Sequence, residues 1–211
     1  MADINVKLNS TSHRKLAYHY LIAKEQVIEA GYAEEIDWQD EVSIEKLNES
    51  DFLREAAWVV LSAGFRESII RDKFYRISEA FLNWSDANSI ISQRESCRHD
   101  ALLMFRNKRK IDSIIEIVDR VACEGFIAIY RNIITNGIYY LQQLPYIGPV
   151  TSYHLAKNIG LSTAKPDRHL IRVANSFGYN SVERMCKDIS NEVGDSIQVI
   201  DIVLWRHATI K

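Results

Sequence analysis

Along most of the chain, apolar residues recur every three or four positions rather than every second one, and only three prolines and eight glycines interrupt them. That period predicts helices throughout. The first runs from about Ser12 to Ala30, with Leu16, Ala17, Tyr20, Leu21, Val27 and Ile28 on its apolar side and Gly31 as a stop. Residues 1–12 are polar and read as loose, and residues 32–49 read as acidic and irregular with Trp38 as an anchor. Ser50-Asp51 read as the cap of a helix from Phe52 to Ala63, apolar on most of its surface and therefore expected at the centre of the core. Gly64-Phe65-Arg66 ends it, and a second helix is predicted from about Glu67 to Phe81.

Short helices are predicted over about 86–92 and 94–104. The basic turn Phe105-Arg106-Asn107-Lys108-Arg109-Lys110 then feeds an amphipathic helix that starts at Ile111. A further helix over 125–143 carries Gly137 as a break, and others are predicted at 149–159, 167–177, 181–191 and 196–208. The fold class is all-α, without internal repeats or low-complexity segments.

A chain of 211 residues is long enough to bury a sizeable core, as one domain or as two lobes. No apolar run approaches the roughly 20 residues of a membrane helix, and Met1-Ala2-Asp3-Ile4-Asn5 lacks the charged-then-apolar start of a secretory signal. Three widely spaced cysteines, Cys97, Cys123 and Cys186, suit reduced thiols in a cytosolic or nuclear compartment better than a disulfide framework. No membrane association is expected. The expected location is the cytoplasm if the source is prokaryotic or viral, and the nucleus if it is eukaryotic. The net charge of −2 is unevenly spread: residues 1–60 hold 6 Lys/Arg against 12 Asp/Glu, and residues 94–172 hold 12 against 7. The second half of the chain therefore offers a basic face suited to phosphates.

At the centre of that basic half lies Leu144-Pro145-Tyr146-Ile147-Gly148-Pro149-Val150-Thr151, followed by Lys165-Pro166-Asp167-Arg168-His169. Gly148 is free to take positive φ, and Pro149 suits the first residue of a helix, whose amides would then form a phosphate seat. The pattern Leu-Pro-x-Ile-Gly-Pro-x-Thr, then Pro-Asp-x-His-x-x-Arg-Val after one helix, resembles the helix-hairpin-helix (HhH-GPD) DNA glycosylase superfamily, in its endonuclease III-like form. The resemblance spans about residues 52–207, and its specific part is 145–173. Tyr146 departs from it, since the family often has glycine there.

The resemblance implies two helical lobes with a cleft between them and the hairpin at its rim. Residues 1–50 would pack on the C-terminal lobe, 51–143 would form the central lobe, and 144–211 would carry the hairpin and the reactive carboxylate. Asp167 takes the family's catalytic position; on its own spacing it reads first as a plain N-cap. Tyr146, Gly148, Val150, Thr151 and Arg168 would contact DNA. Carbonyls of Gln142, Leu144 and Ile147 would hold a Na+, K+ or Mg2+ ion. Phe65 or Arg66 would be the wedge that fills the gap left by a flipped base, and Trp58, Tyr153 and His154 would line the base pocket; aromatics at helical spacing are otherwise core.

Val150 stands where family members that also cleave the backbone carry a lysine, and valine is no nucleophile. Lys157 and Lys165 are the nearby amines that could substitute. The implied activity is thus a monofunctional DNA N-glycosylase of base-excision repair, acting as a monomer on double-stranded DNA. No further cofactor is expected, and with Cys186 the only downstream cysteine no iron–sulfur cluster is. Two other readings stay open: a non-catalytic helix-hairpin-helix DNA-binding protein, and an enzyme of hypermodified-base metabolism on the same scaffold.

Overall fold

The computed structural model describes residues 2–210, and side chains from residue 14 to residue 210. Twelve α-helices occur among the described residues, with no strand. Two compact units form: residues 1–42 with 160–211, and residues 43–159. The boundary falls after the hairpin's second helix, so residues 144–159 group with 43–143 rather than with the C-terminal helices.

In the first unit, α1 (Ala2–Glu29) and α2 (Ala33–Glu41) pack with α10 (Arg168–Ser176), α11 (Val182–Val193) and α12 (Ile197–Thr209). Helix α1 begins ten residues before the expected start. The segment read as irregular holds α2, whose Glu34 and Glu35 lie in the first turn where the helix dipole favours acidic groups. Ile36 and Gln39 are its buried positions; Trp38 is 40% exposed and stands outside the core. The core contains Leu16, Tyr20, Leu170, Met185, Cys186 and Val203. Polar ties secure α1 and α2: Tyr20 donates to Asp195, Lys24 pairs with the same carboxylate at 2.7 Å, and Arg206 forks onto Glu35 at 2.6 and 3.0 Å between the Tyr32 and Trp205 rings.

The second unit is built around α3 (Glu49–Ser62), which buries Phe52, Leu53, Ala56, Val59, Val60 and Leu61. Its cap is Asn48 rather than Ser50-Asp51: Asn48 Oδ1 accepts the Asp51 amide at 2.9 Å, and Asp51 accepts back from Asn48 Nδ2 at 2.7 Å. Around it lie α4 (Glu67–Ala80), α5 (Ala87–Ser92), α6 (Arg94–Met104), α7 (Lys108–Glu124), α8 (Phe126–Leu141) and α9 (Thr151–Asn158). After α4, Leu82, Asn83 and Trp84 all adopt left-handed backbone conformations, at φ 53°, 51° and 61°. Side chains with a Cβ disfavour that region. The turn is held by Trp84, which stacks on Phe81 at 4.8 Å and donates its indole N–H to Ser78 at 2.9 Å. Gly137 interrupts α8 at φ 49°, ψ −127°, a conformation open to glycine.

Candidate functional site

The hairpin connects α8 to α9 through residues 142–150. Leu144 and Ile147 are buried and pin the loop to the core. Its left-handed residue is Tyr146, at φ +66°, and Gly148 does not have positive φ. Gly148 instead lets its own N–H reach Thr151 Oγ1 at 2.7 Å, so this amide is engaged within the protein rather than offered to a phosphate. Helix α9 starts at Thr151 with Val150 as N-cap, leaving Pro149 outside the helix. No side chain caps it, and Val150 is 45% exposed. First-turn amides have no intrahelical carbonyl to bond, which leaves the Val150 and Thr151 N–H groups without a helical partner.

Tyr146 is positioned by cations. The Arg109 guanidinium lies 5.4 Å from its ring centre and the Lys110 ammonium 5.0 Å. An open cavity of about 620 Å3 lies beside this ring, lined by Lys108, Arg109, Asp112, Glu116, Pro145 and Tyr146 among others. Lys110 is itself fully buried, and its Nζ donates to the carbonyls of Val60, Leu61 and Ala63 at 2.6, 2.8 and 2.6 Å. It thereby caps the negative end of α3. Burial pulls its ammonium down to about 8. A lowered lysine can serve as a nucleophile, but here all three donor directions are spent on main-chain oxygens.

Of the carbonyls expected to hold a cation, Leu144 O accepts the Ile147 N–H at 3.0 Å. Gln143 O, the carbonyl between Gln142 and Leu144, accepts from Arg120 at 3.1 Å. A carbonyl oxygen has two lone pairs, and neutral oxygen donors are the type a hard cation takes. No cluster of His, Cys, Asp and Glu suited to a metal occurs among the described residues.

The loop after α3 carries the two wedge candidates. Phe65 packs edge-on against Phe105 at 5.3 Å and over the Lys110 ammonium at 4.9 Å, so half of its surface is already committed. Arg66 is exposed at the N-cap of α4. Trp58 packs against Phe74 at 5.0 Å under Arg71, an internal contact of α3 with α4. Tyr153 and His154 are half-buried on α9. Lys157, one of the two substitute amines, is buried, at 5% exposure.

Asp167 belongs to the first unit and is the N-cap of α10, as its place after Pro166 predicts. Its Oδ1 accepts the amides of His169 and Leu170 at 2.8 and 3.1 Å. Its Oδ2 has no hydrogen-bond partner among the described residues. Exposed Arg168 donates to His169 Nε2 at 3.2 Å, and His169 Nδ1 is buried without a partner.

Three polar residues that sequence reasoning did not single out turn out to organise these segments. They are Lys110, Asp201 and Glu55, whose Oε2 accepts from Asn158 at 2.9 Å and ties α3 to α9. A signal existed for two of them. Lys110 repeats in helical register with Ile114, Ile117 and Val121, and Asp201 stands alone within the apolar run 199–204.

No protein-family model matches the chain, and no curated protein sequence does. Solved structures do. The 8-oxoguanine glycosylase/lyase of Methanocaldococcus jannaschii, in complex with a 15-mer DNA containing 8-oxoguanine, aligns with a TM-score of 0.61 at 17% identity, over 87% of this chain and 93% of that one. The 8-oxoguanine DNA glycosylase of Thermotoga maritima aligns with a TM-score of 0.59 at 15% identity, over 92% and 95%. The all-helical fold is thus similar to that of these two DNA glycosylases.

Proposed function

We propose that this protein is a monofunctional DNA N-glycosylase, which binds duplex DNA and hydrolyses the bond between deoxyribose and a damaged or modified base. The observation that carries this reading is Asp167: a carboxylate fixed at a helix start by two amides, with its second oxygen uncommitted, on a glycosylase fold.

The chemistry follows from that placement. As the bond from C1′ to the base lengthens, positive charge develops on the sugar. A fixed carboxylate stabilises it without reorganising. The free Oδ2 accepts a proton from water as its oxygen bonds to C1′, and the base leaves with the electron pair of the broken bond. Base, abasic deoxyribose and a proton account for the atoms of the water.

Strand cleavage by a Schiff base requires an available amine. Val150 provides none at the hairpin, Lys157 is buried, and Lys110 is engaged with three carbonyls. Partly buried Lys165 is the amine for which borohydride trapping must answer. The hairpin supplies the grip on DNA through the amides of Val150 and Thr151 and the cations Lys108 and Arg109. A cation held by the Gln142, Leu144 and Ile147 carbonyls would neutralise part of one phosphate's charge. To expose a base to such a carboxylate the duplex must release it from the stack, with Arg66 the better wedge since Phe65 is half committed.

The test is a base-release assay on duplexes that each carry one lesion, with wild type and Asp167→Asn, developed with and without hot alkali. Strand breaks after alkali alone, with wild type alone, are expected. Breaks without alkali would refute the monofunctional assignment, and breaks by the asparagine variant would refute Asp167.

A further inference from the structure

We propose that Asp201 is a positioning residue for Asp167, a role that rests on reading Asp167 as the reactive carboxylate. Asp201 lies on α12 at 2% exposure, among Ile200, Val203 and Leu204 of the first unit's core. Its Oδ1 accepts the backbone N–H of Lys165 at 2.6 Å. The carbonyl of that same Lys165 accepts the Asp167 N–H at 2.8 Å. The resulting three-residue turn is centred on Pro166, whose ring fixes φ near the value such a turn requires. Beyond it, Asp167 Oδ1 takes the amides of His169 and Leu170, the second and third residues of α10.

A continuous series of hydrogen bonds therefore runs from a helix in the core to the carboxylate. Apolar anchors lie on either side, Ala164 at 1% exposure and Leu170 at 0%. Burying a carboxylate in an apolar run is costly unless its bonds return a specific benefit. An aliphatic side chain would fill the same core position, but only an acceptor holds the main chain two residues ahead of Asp167. The turn has no regular secondary structure of its own, so losing this bond loosens the hold on Pro166 and on the carboxylate that follows it. Misplacement by about 1 Å costs on the order of a hundredfold in rate.

The experiment compares single-turnover base release by wild type, Asp201→Leu and Asp201→Asn on a lesion duplex, together with duplex affinity and NMR amide exchange at Lys165. The leucine variant is expected to lose about 10- to 100-fold in rate with duplex affinity within about twofold, while the Lys165 amide exchanges faster. Asparagine keeps the oxygen acceptor and is expected to restore most of the rate. If leucine does not fold at this position, Asp201→Ser, whose hydroxyl is too short to reach Lys165, carries the same expectation. Wild-type rate in a leucine or serine variant with an unprotected Lys165 amide overturns the proposal, as does an asparagine variant as slow as leucine. Absence of base release by wild type itself would instead refute the reading of Asp167, and this role with it.

Discussion

The Lys110 ammonium lies 5.0 Å from the centre of the Tyr146 ring while the same nitrogen bonds three carbonyls at the end of α3. The hairpin and the loop carrying Phe65 and Arg66 therefore share one buried cation. A left-handed tyrosine is tolerated in the hairpin because its ring has this seat, with Arg109 alongside.

Replacing Lys110 by methionine keeps the aliphatic stem but leaves three carbonyls without their donor. Unsatisfied buried acceptors cost about 1–3 kcal/mol each at most, with partial relief from water. A loss of about 3 kcal/mol is expected in urea unfolding, together with weaker duplex binding as the Tyr146 seat opens. A variant as stable as wild type would show that Lys110 is not the joint of this unit.

Asp167 has two separable duties, and two substitutions separate them. Asparagine is also a good N-cap, so Asp167→Asn should leave stability within about 0.5 kcal/mol, whereas Asp167→Ala should cost about 1 kcal/mol. Base release should be lost in both. Thermal melts alongside the lesion assay check this, and activity that follows stability would reduce Asp167 to a cap.

Val150 is an exposed N-cap, so a lysine fits there without disturbing the core. Val150→Lys is expected to create an adduct with lesion DNA that borohydride traps, while wild type gives none. Trapping by wild type would mean that another amine reaches the sugar.

Glu55 predicts a pH dependence. Burial pushes its carboxyl above the usual carboxylate range, and Arg54 and Asn158 pull the other way less strongly. The folded protein then holds this proton to higher pH than the unfolded chain. Its contribution to stability is complete below the unfolded value near 4.3 and is lost as pH rises through the folded value. Glu55→Gln keeps an acceptor for Asn158 and loses that dependence. The variant should match wild type near pH 4 and be the more stable at pH 7; the reverse order in urea midpoints would contradict the assignment.

Arg109 is exposed at the hairpin's cavity. If it contacts a phosphate, Arg109→Ala should weaken duplex binding alike for all sequences and reduce the slope of log affinity against log salt by about one. An unchanged slope would move the phosphate track away from this face.

Local order was legible in the sequence because it depends on neighbours three and four residues apart. The all-α class, the placement of most helices, the break at Gly137 and the capping position of Asp167 all follow from spacing and from residues that suit a helix start or a turn. Helix α2 escaped because its short apolar set, Ile36 with a buried Gln39, hides among acidic residues.

Tertiary packing decided what local spacing could not. Tyr20 meets Asp195 across 175 positions, Asn158 reaches Glu55 across 103, and Lys110 bonds Val60 across 50. The left-handed turn at Leu82–Trp84 and the strained Tyr146 are tolerated only because packed rings and cations hold them, so no local preference announces them. Asp201 reads in sequence as a charge misplaced in an apolar helix. Only the chain folding back on itself brings the Lys165 amide to it and gives a buried carboxylate a partner.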